Sequence, residues 1–459
     1  MIRHFIALCV FLCFIVQPLF SQPSNQRIDL ILQDDSTEVI GTSKDGLENP
    51  TDLAFHPDTN RRELWAVNRG SEANGGSTVT FHAAGKAGQW PDKRQDWNAW
   101  HFMSLPTGIA FSDDNGNFAT ASGVYDANHN GGSPFTGPAL WTSDTSIYAR
   151  VPFNHQGDTN GSHIDMLHAS PRCMGIAHEK DNVFWVFDGY NKDLVRYDFR
   201  QPHRPGGDDH ADGIIRRYPL PVDTLSYFVP SHLVMDENSN WLYVVDNGNH
   251  RILRLDVTSG SIGGAPSFGP FEALSEYSQM QNITWEVVDS GLSEPSGIAL
   301  VEDRLLVSDH KTGDISVYDI STTSFPKLGS IEAGTQGMMG LTIGPAGNIW
   351  YVNNQQAEIK KVSPASFPTN LSSNASKSTL TFNVYPNPSK GKIRVSAQST
   401  SLKDSQLAVY NIMGEEVLQR RSLQATDQIS LDLSHLTKGI VVLKLWTGNT
   451  SKTRKIVIE

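Results

Sequence analysis

Residues 230–256 read Pro230-Ser-His-Leu-Val-Met-Asp236, a turn, Trp241-Leu-Tyr-Val-Val-Asp246, a second turn, and Asn249-His-Arg-Ile-Leu-Arg-Leu-Asp256. Proline opens a short apolar run, a second apolar run ends on aspartate, and a third alternates apolar with charged side chains. Runs of this composition between turn formers are strands. The same order recurs in Pro295-Ser-Gly-Ile-Ala-Leu300, Leu305-Leu-Val-Ser-Asp309 and Asp314-Ile-Ser-Val-Tyr-Asp319. It recurs again in Pro171-Arg-Cys-Met-Gly-Ile-Ala177, Val183-Phe-Trp-Val-Phe-Asp188 and Asp193-Leu-Val-Arg-Tyr-Asp198. Further copies begin at Pro50, Pro106 and near Gly337, so that six copies are spaced 56, 65, 59, 65 and about 42 residues apart.

Short strands repeating at that interval mean radial repetition, which protects sheet edges without a closed barrel. No long amphipathic helical period competes. The chain is therefore expected to be all-β, with a six-bladed β-propeller over 27–364 followed by a small Ig-like β-sandwich. The Asp-Asn-Gly-Asn-His-Arg-Ile-Leu-Arg-Leu-Asp stretch at 246–256 resembles the NHL repeat, and the resemblance covers the whole of 27–364. The copy at Pro106 departs most, because a long insertion over 125–148 displaces its third strand.

On either side of the propeller the character changes. Residues 1–21 read as a secretory signal: Arg3 and His4 precede the apolar run 5–16, which is too short to span a membrane. Residues 365–378 are rich in Ser, Asn and Thr and read as a linker. Residues 379–459 carry Val384-Tyr-Pro-Asn-Pro-Ser-Lys-Gly391, Ala408-Val-Tyr-Asn-Ile-Met-Gly414 and a terminal Lys455-Ile-Val-Ile458. Together these resemble the type A sorting domain of the type IX secretion system. The resemblance implies recognition by that machinery, transfer across the outer membrane, and release or attachment at the cell surface.

Composition narrows the partners. With 37 basic against 49 acidic residues the formal charge is −12, the opposite of the field that nucleic acids attract. No stretch beyond the signal approaches the length of a transmembrane helix. Of three cysteines, Cys9 and Cys13 lie in the signal, leaving Cys173 inside an apolar strand as a buried hydrophobe rather than a nucleophile.

Chemistry is expected where loops from several blades converge on the channel mouth. The segment Gly161-Ser-His163-Ile-Asp165-Met-Leu-His168-Ala-Ser-Pro-Arg172 is read as leading into the third blade, with His232 at the equivalent place in the fourth. Imidazoles and a carboxylate suit a divalent transition metal. His163, His168 and His232 are the expected ligands, with Asp165 orienting them. Arg172 could clamp a substrate carboxylate, and Arg172 and Tyr190 are the candidates for any catalytic role. Asp188, Tyr190, Asp246, Asp309 and His310 end second strands on the same face and are candidate ligand-binding residues, Asp246 and Asp309 also as oxygen ligands for calcium. Turn formation explains such residues equally well. The Gly206–Gly213 loop offers Asp208, Asp209 and Asp212 as a second possible calcium site. Trp141 in the insertion, with Phe135, Trp90, Trp97 and Trp100, could wall a sugar or peptide site.

The amidating lyases are six-bladed propellers whose zinc histidines directly follow the blade-opening proline. In this chain Thr51, Thr107, Arg172, Ser231, Ser296 and Met338 stand at those positions, so that activity is not carried over. Two readings remain. One is a binding module for a glycan, peptide, protein or other small ligand at the channel mouth. The other is a metal-dependent extracellular lyase or hydrolase there, using one zinc or calcium ion. Whether the protein is an enzyme stays open on the sequence alone.

Overall fold

The computed structural model describes residues 24–113, 115–151, 153–154, 159–365, 382–397, 405–411, 416–422, 428–436, 438–447 and 450–459. The signal read at 1–21, and the linker read at 365–378 beyond its first residue, lie outside them. The chain forms two compact units that divide between Phe367 and Pro368.

The first unit is a ring of six four-stranded antiparallel blades. From the innermost strand outward, blade 1 comprises Pro50–Phe55, Glu63–Ser71, Gly75–His82 and Trp90–Arg94; blade 2 comprises Pro106–Phe111, Asn117–Ser122, Pro138–Thr142 and Asp165–Met166. In the same order, blade 3 comprises Cys173–Lys180, Val183–Asp188, Asp193–Asp198 and Ile214–Tyr218; blade 4 comprises Leu233–Asp236, Trp241–Asp246, Arg251–Asp256 and Trp285–Ser290. Blade 5 comprises Pro295–Val301, Arg304–Asp309, Asp314–Asp319 and Lys327–Glu332. Blade 6 takes Met338–Ile343, Ile349–Asn353 and Glu358–Pro364 from the end of the unit, and its outermost strand, Asp35–Gly41, from the beginning. Asp35 pairs with Pro364 and Val39 with Lys360, which closes the ring.

Inner strands run downward from an upper mouth, where the blade-opening motifs lie. Hydrogen bonds near that mouth join every pair of neighbouring blades. Thr51 Oγ1 donates to Pro106 O at 2.9 Å, Thr107 Oγ1 to Cys173 O at 2.9 Å and Ser231 N to Met174 O at 2.8 Å. His232 N donates to Ser296 O at 3.1 Å, Ser308 Oγ to Met339 O at 2.8 Å and Asn354 Nδ2 to Pro50 O at 3.1 Å. Thr51 and Thr107, which directly follow the opening prolines of blades 1 and 2, thus stitch blade to blade. The close approach also explains glycine in the opening motifs. A Cβ on Gly175 would lie 2.2 Å from Ser231 O, and one on Gly297 2.1 Å from Met339 O.

Apolar faces of successive blades interlock. Trp65 of blade 1, fully buried, packs on Phe111 and Phe118 of blade 2 and on Tyr148, with ring centroids 5.2–5.7 Å apart. Cys173 is buried at the start of its inner strand and its Sγ donates to Ser170 O, as its apolar setting predicts. Helix Ser24–Ile31 buries Ile28 and Ile31 against blades 5 and 6. An insertion in blade 4 forms Ser261–Ile262 and Glu276–Gln281, and the latter lies parallel to the outer strand of blade 3.

The second unit pairs a three-stranded sheet (Phe382–Tyr385, Lys392–Ala397, Gln428–Asp432) with a four-stranded one (Gln406–Asn411, Glu416–Ser422, Gly439–Thr447, Thr450–Ile458). Phe382, Val395, Leu407, Leu431, Leu443 and Ile456 form the dry layer between them, the arrangement of a small β-sandwich.

Candidate functional site

The expected metal centre at the mouth is not assembled. His232 lies in the channel, where its Nε2 is 2.8 Å from Thr107 O and its Nδ1 3.7 Å from Asp52 Oδ1, on the blade opposite. Burial raises the Asp52 carboxyl, and the charge of His232 pulls it back. His163 instead stacks on Phe102 with centroids 3.4 Å apart, its Nδ1 against Asn160 O. His168 turns its Nδ1 to Glu272 at 2.8 Å and stacks on Phe135. The reason is register: the insertion pushes the outermost strand of blade 2 downstream to Asp165–Met166. A segment read as the approach to blade 3 is thus the outer edge of blade 2, away from the channel.

The expected oxygen ligands at the strand ends are also spent. Asp188 is buried and binds Arg217 Nη2 at 2.6 Å while accepting from the Tyr190 and Asn191 amides. Asp246 accepts from Asp223 N at 2.8 Å and Arg251 Nε at 2.6 Å, and Asp309 accepts from the amides of Ser293, Glu294, Lys311 and Thr312. Asp246 and Asp309 tie their turns to the preceding loops, and Asp188 is taken up by Arg217 and its own turn, so no calcium ring forms there among the described residues. Trp141 is fully buried in blade 2, its Nε1 donating to Thr120 Oγ1 at 3.0 Å, and offers no wall to a ligand. Asp208, Asp209 and Asp212 are exposed; Asp212 accepts from Gln201 N and Asp209 from Ala211 N, and the three do not converge.

Arg172, Tyr190 and His310 do face the upper mouth. The loop before blade 4 crosses that mouth. Arg69, on blade 1, donates through Nη2 to Tyr227 O at 2.9 Å. The Arg172 guanidinium stands 4.7 Å over the Tyr227 ring and 5.9 Å over Tyr125, and that of Arg69 stands 5.3 Å over Phe228. Burial, and then the charge of Arg172, lower the Arg69 pKa, and Arg69 Nη1 is a buried donor without a hydrogen-bond partner. Neither guanidinium has a carboxylate partner among the described residues. Leu225, Tyr227, Phe228 and Tyr190 are each about 41–42% exposed, an apolar patch around two cations. Tyr190 meets Tyr125 at 5.3 Å and Phe268 at 5.9 Å, and Phe228 meets His310 at 6.5 Å. Asn68-Arg69 is one of the strand-ending turns that the sequence sets on this face, but Arg69 was not singled out for binding, because a lone arginine after a strand-ending asparagine carries no motif. Its role depends on a loop 158 residues away.

Below the Asp52–His232 pair the channel holds a cavity of about 340 Å³ lined by the inner strands of all six blades, with Asp113, His178 and Glu237 at its rim. These three offer ligand atoms within 4.8 Å of one another, on an exposed edge. A second such set, Asp165, His203 and His210, lies on the flank between blades 2 and 3. There Asp165 Oδ1 meets His210 Nδ1 at 2.8 Å. Burial raises the Asp165 carboxyl, while burial lowers His203, and the charge of His203 adds to burial in holding His163 well below the usual range.

Residues 383–459 match the family model of the secretion system C-terminal sorting domain. That domain directs the chain across the outer membrane to the cell surface or the extracellular space. No helix among the described residues is long and apolar enough to cross a membrane. No curated protein matches the sequence. Similar solved structures include an auxiliary nutrient binding protein from Bacteroides ovatus ATCC 8483, 11% identical over 72% of this chain and 77% of that one, with a TM-score of 0.45. Another is the soluble aldose sugar dehydrogenase of Escherichia coli, 15% identical over 72% of this chain and 99% of that one, also with a TM-score of 0.45. Neither likeness bears on what this chain binds.

Proposed function

We propose that this secreted propeller is a binding module whose upper mouth takes an acidic saccharide, a sugar chain bearing carboxylate or sulfate groups. One arrangement supports the reading: Arg69 and Arg172 bracket Tyr227 with no carboxylate between them, in a chain of formal charge −12. Two guanidiniums held close repel each other, and an anion placed between them relieves the repulsion while accepting planar, charge-assisted hydrogen bonds. The exposed faces of Tyr190 and Tyr227 supply flat apolar surface on which sugar rings stack. Arg172 is the clamp in this reading, Arg69 its partner, and His310, whose Nε2 has no hydrogen-bond partner, a further polar contact beside Phe228.

Calorimetry with the mature chain tests this, using uronate-containing and sulfated oligosaccharides against neutral ones of equal length. Acidic chains should bind and neutral ones should not, with affinity falling as salt rises. A hydrogen bond to a charged group contributes about 1.5–3 kcal/mol, so Arg172→Ala should weaken binding roughly 10–100-fold. Equal binding of neutral chains, or an Arg69→Ala/Arg172→Ala double variant that binds as tightly as the parent, would overturn the reading.

A further inference from the structure

Five imidazoles gather on the flank between blades 2 and 3. His101 and His168 lie 5.8 Å apart between ring centroids, His168 and His210 6.0 Å, His210 and His203 5.6 Å, and His203 and His163 5.0 Å. Within this cluster Asp165 is fully buried on a strand, and its Oδ2 has no hydrogen-bond partner. His203 spends Nδ1 on Arg204 O at 2.7 Å, which leaves Nε2 as the lone-pair nitrogen, and that atom too is buried without a partner. His210 Nδ1 lies 2.8 Å from the other oxygen of Asp165, so the imidazole and the carboxylate already meet at this point. A buried carboxylate oxygen and a buried imidazole nitrogen left without partners are costly unless something accepts their lone pairs.

We propose that Asp165, His203 and His210 bind a divalent transition metal, zinc foremost, on this flank. Two imidazoles and one carboxylate form the mixed nitrogen and oxygen set that zinc takes, whereas calcium calls for six to eight oxygens. Tetrahedral zinc with bonds of about 2.1 Å sets its ligand atoms about 3.4 Å apart. The three groups already lie within 4.8 Å of one another, so rotation of the half-buried loop histidines closes the set onto the strand-borne carboxylate. His168, 6.0 Å from His210 between ring centroids, has its Nδ1 oriented by Glu272 and its Nε2 without a partner either. The site is separate from the upper mouth and does not depend on saccharide binding.

The test uses the mature chain without an affinity tag, stripped with a chelator and titrated with zinc chloride against a chromophoric competitor. Metal content after dialysis is read by mass spectrometry. The parent should retain one equivalent of zinc and melt at a higher temperature with it. His203→Ala, a change on a surface loop, should keep the apo melting temperature and lose zinc affinity by more than the roughly 10–100-fold that losing an outer partner costs. His178→Ala, at the channel rim, should bind zinc as the parent does. Failure of the parent to bind zinc would mean that Asp165 and His210 form a buried ion pair only, and would overturn the site. Equal affinity in His203→Ala and the parent would overturn it as well.

Discussion

The guanidinium of Arg69 donates to the backbone oxygen of Tyr227 at 2.9 Å, and the two residues belong to blades on opposite sides of the ring. A second opposed pair, Asp52 and His232, meets beneath them in the channel at 3.7 Å. The upper end of the channel is thus crossed twice by blades 1 and 4, whereas its lower end opens into the cavity. The loop at 224–229 is consequently a strap over the mouth. Its tip shows aromatic rings to solvent because its backbone is pinned from across the ring.

Releasing that pin should loosen the strap without unfolding the ring. Arg69→Ala removes one charged hydrogen bond and the contact with Phe228, about 1.5–3 kcal/mol of local stabilisation. Amide hydrogen exchange at 225–229 should speed up about tenfold or more while exchange in the inner strands is unchanged. Uniform acceleration across all blades would show that the contact supports the whole ring instead.

Arg217 holds two carboxylates at once, with Asp188 and Asp193 each 2.6 Å from Nη2 and the guanidinium 4% exposed. Arg217→Met strands both acids in a dry setting and should cost about 3–5 kcal/mol in urea unfolding. Adding Asp188→Asn should recover part of that loss, because it removes one of the uncompensated charges.

Acid should destabilise the flank of blades 2 and 3 early. His101 has its pKa lowered to about 4, by burial first and then by the charge of His168. In the unfolded chain an imidazole titrates near 6.5. A depressed value in the fold means that the contribution is whole above about pH 6.5 and is lost as pH falls toward 4. The loss is on the order of 3 kcal/mol. His101→Asn, which keeps a donor toward Ala127 O, should flatten the dependence of unfolding free energy on pH across that window. An unchanged slope would assign the acid sensitivity to the other buried imidazoles.

Among the described residues, the buried apolar cluster of the sandwich draws on residues 382–458, and those of the propeller draw on residues up to 362. A chain ending at residue 365 should therefore unfold with the same denaturant midpoint for its propeller as the full chain. Fractionation should find it inside the outer membrane, because the sorting domain is gone. Appearance of the truncated chain in the medium would contradict that role.

Three strands were legible in blades 3, 4 and 5, and the inner two in blades 1, 2 and 6, because their apolar runs are largely buried, as in Val183–Asp188. The fourth was not. Trp90–Arg94 and Lys327–Glu332 sit at the blade edge with polar, largely exposed side chains, and nothing in their pattern separates them from loops. The two-residue outer strand Asp165–Met166 was the extreme case, and misreading it moved His163 and His168 from the flank to the mouth. Arg172 and Tyr190 were placed correctly at the mouth, because the opening motif and the strand-ending turn fix their height on the blade. His203 and His210 were hidden in a loop whose aspartates drew the eye. The inward turn of His210 depends on its pairing with Asp165, 45 residues earlier.

Strand Asp35–Gly41 pairs with Glu358–Pro364, so the first strand of the propeller waits for the last before either has a neighbour on that side. Closure thus joins two strands across more than three hundred residues of intervening chain. The sorting domain begins within about twenty residues of that last strand. A chain broken off before the ring can close therefore also lacks its address. Completeness of the fold and eligibility for export are recorded in one stretch of polypeptide, and only finished molecules carry both.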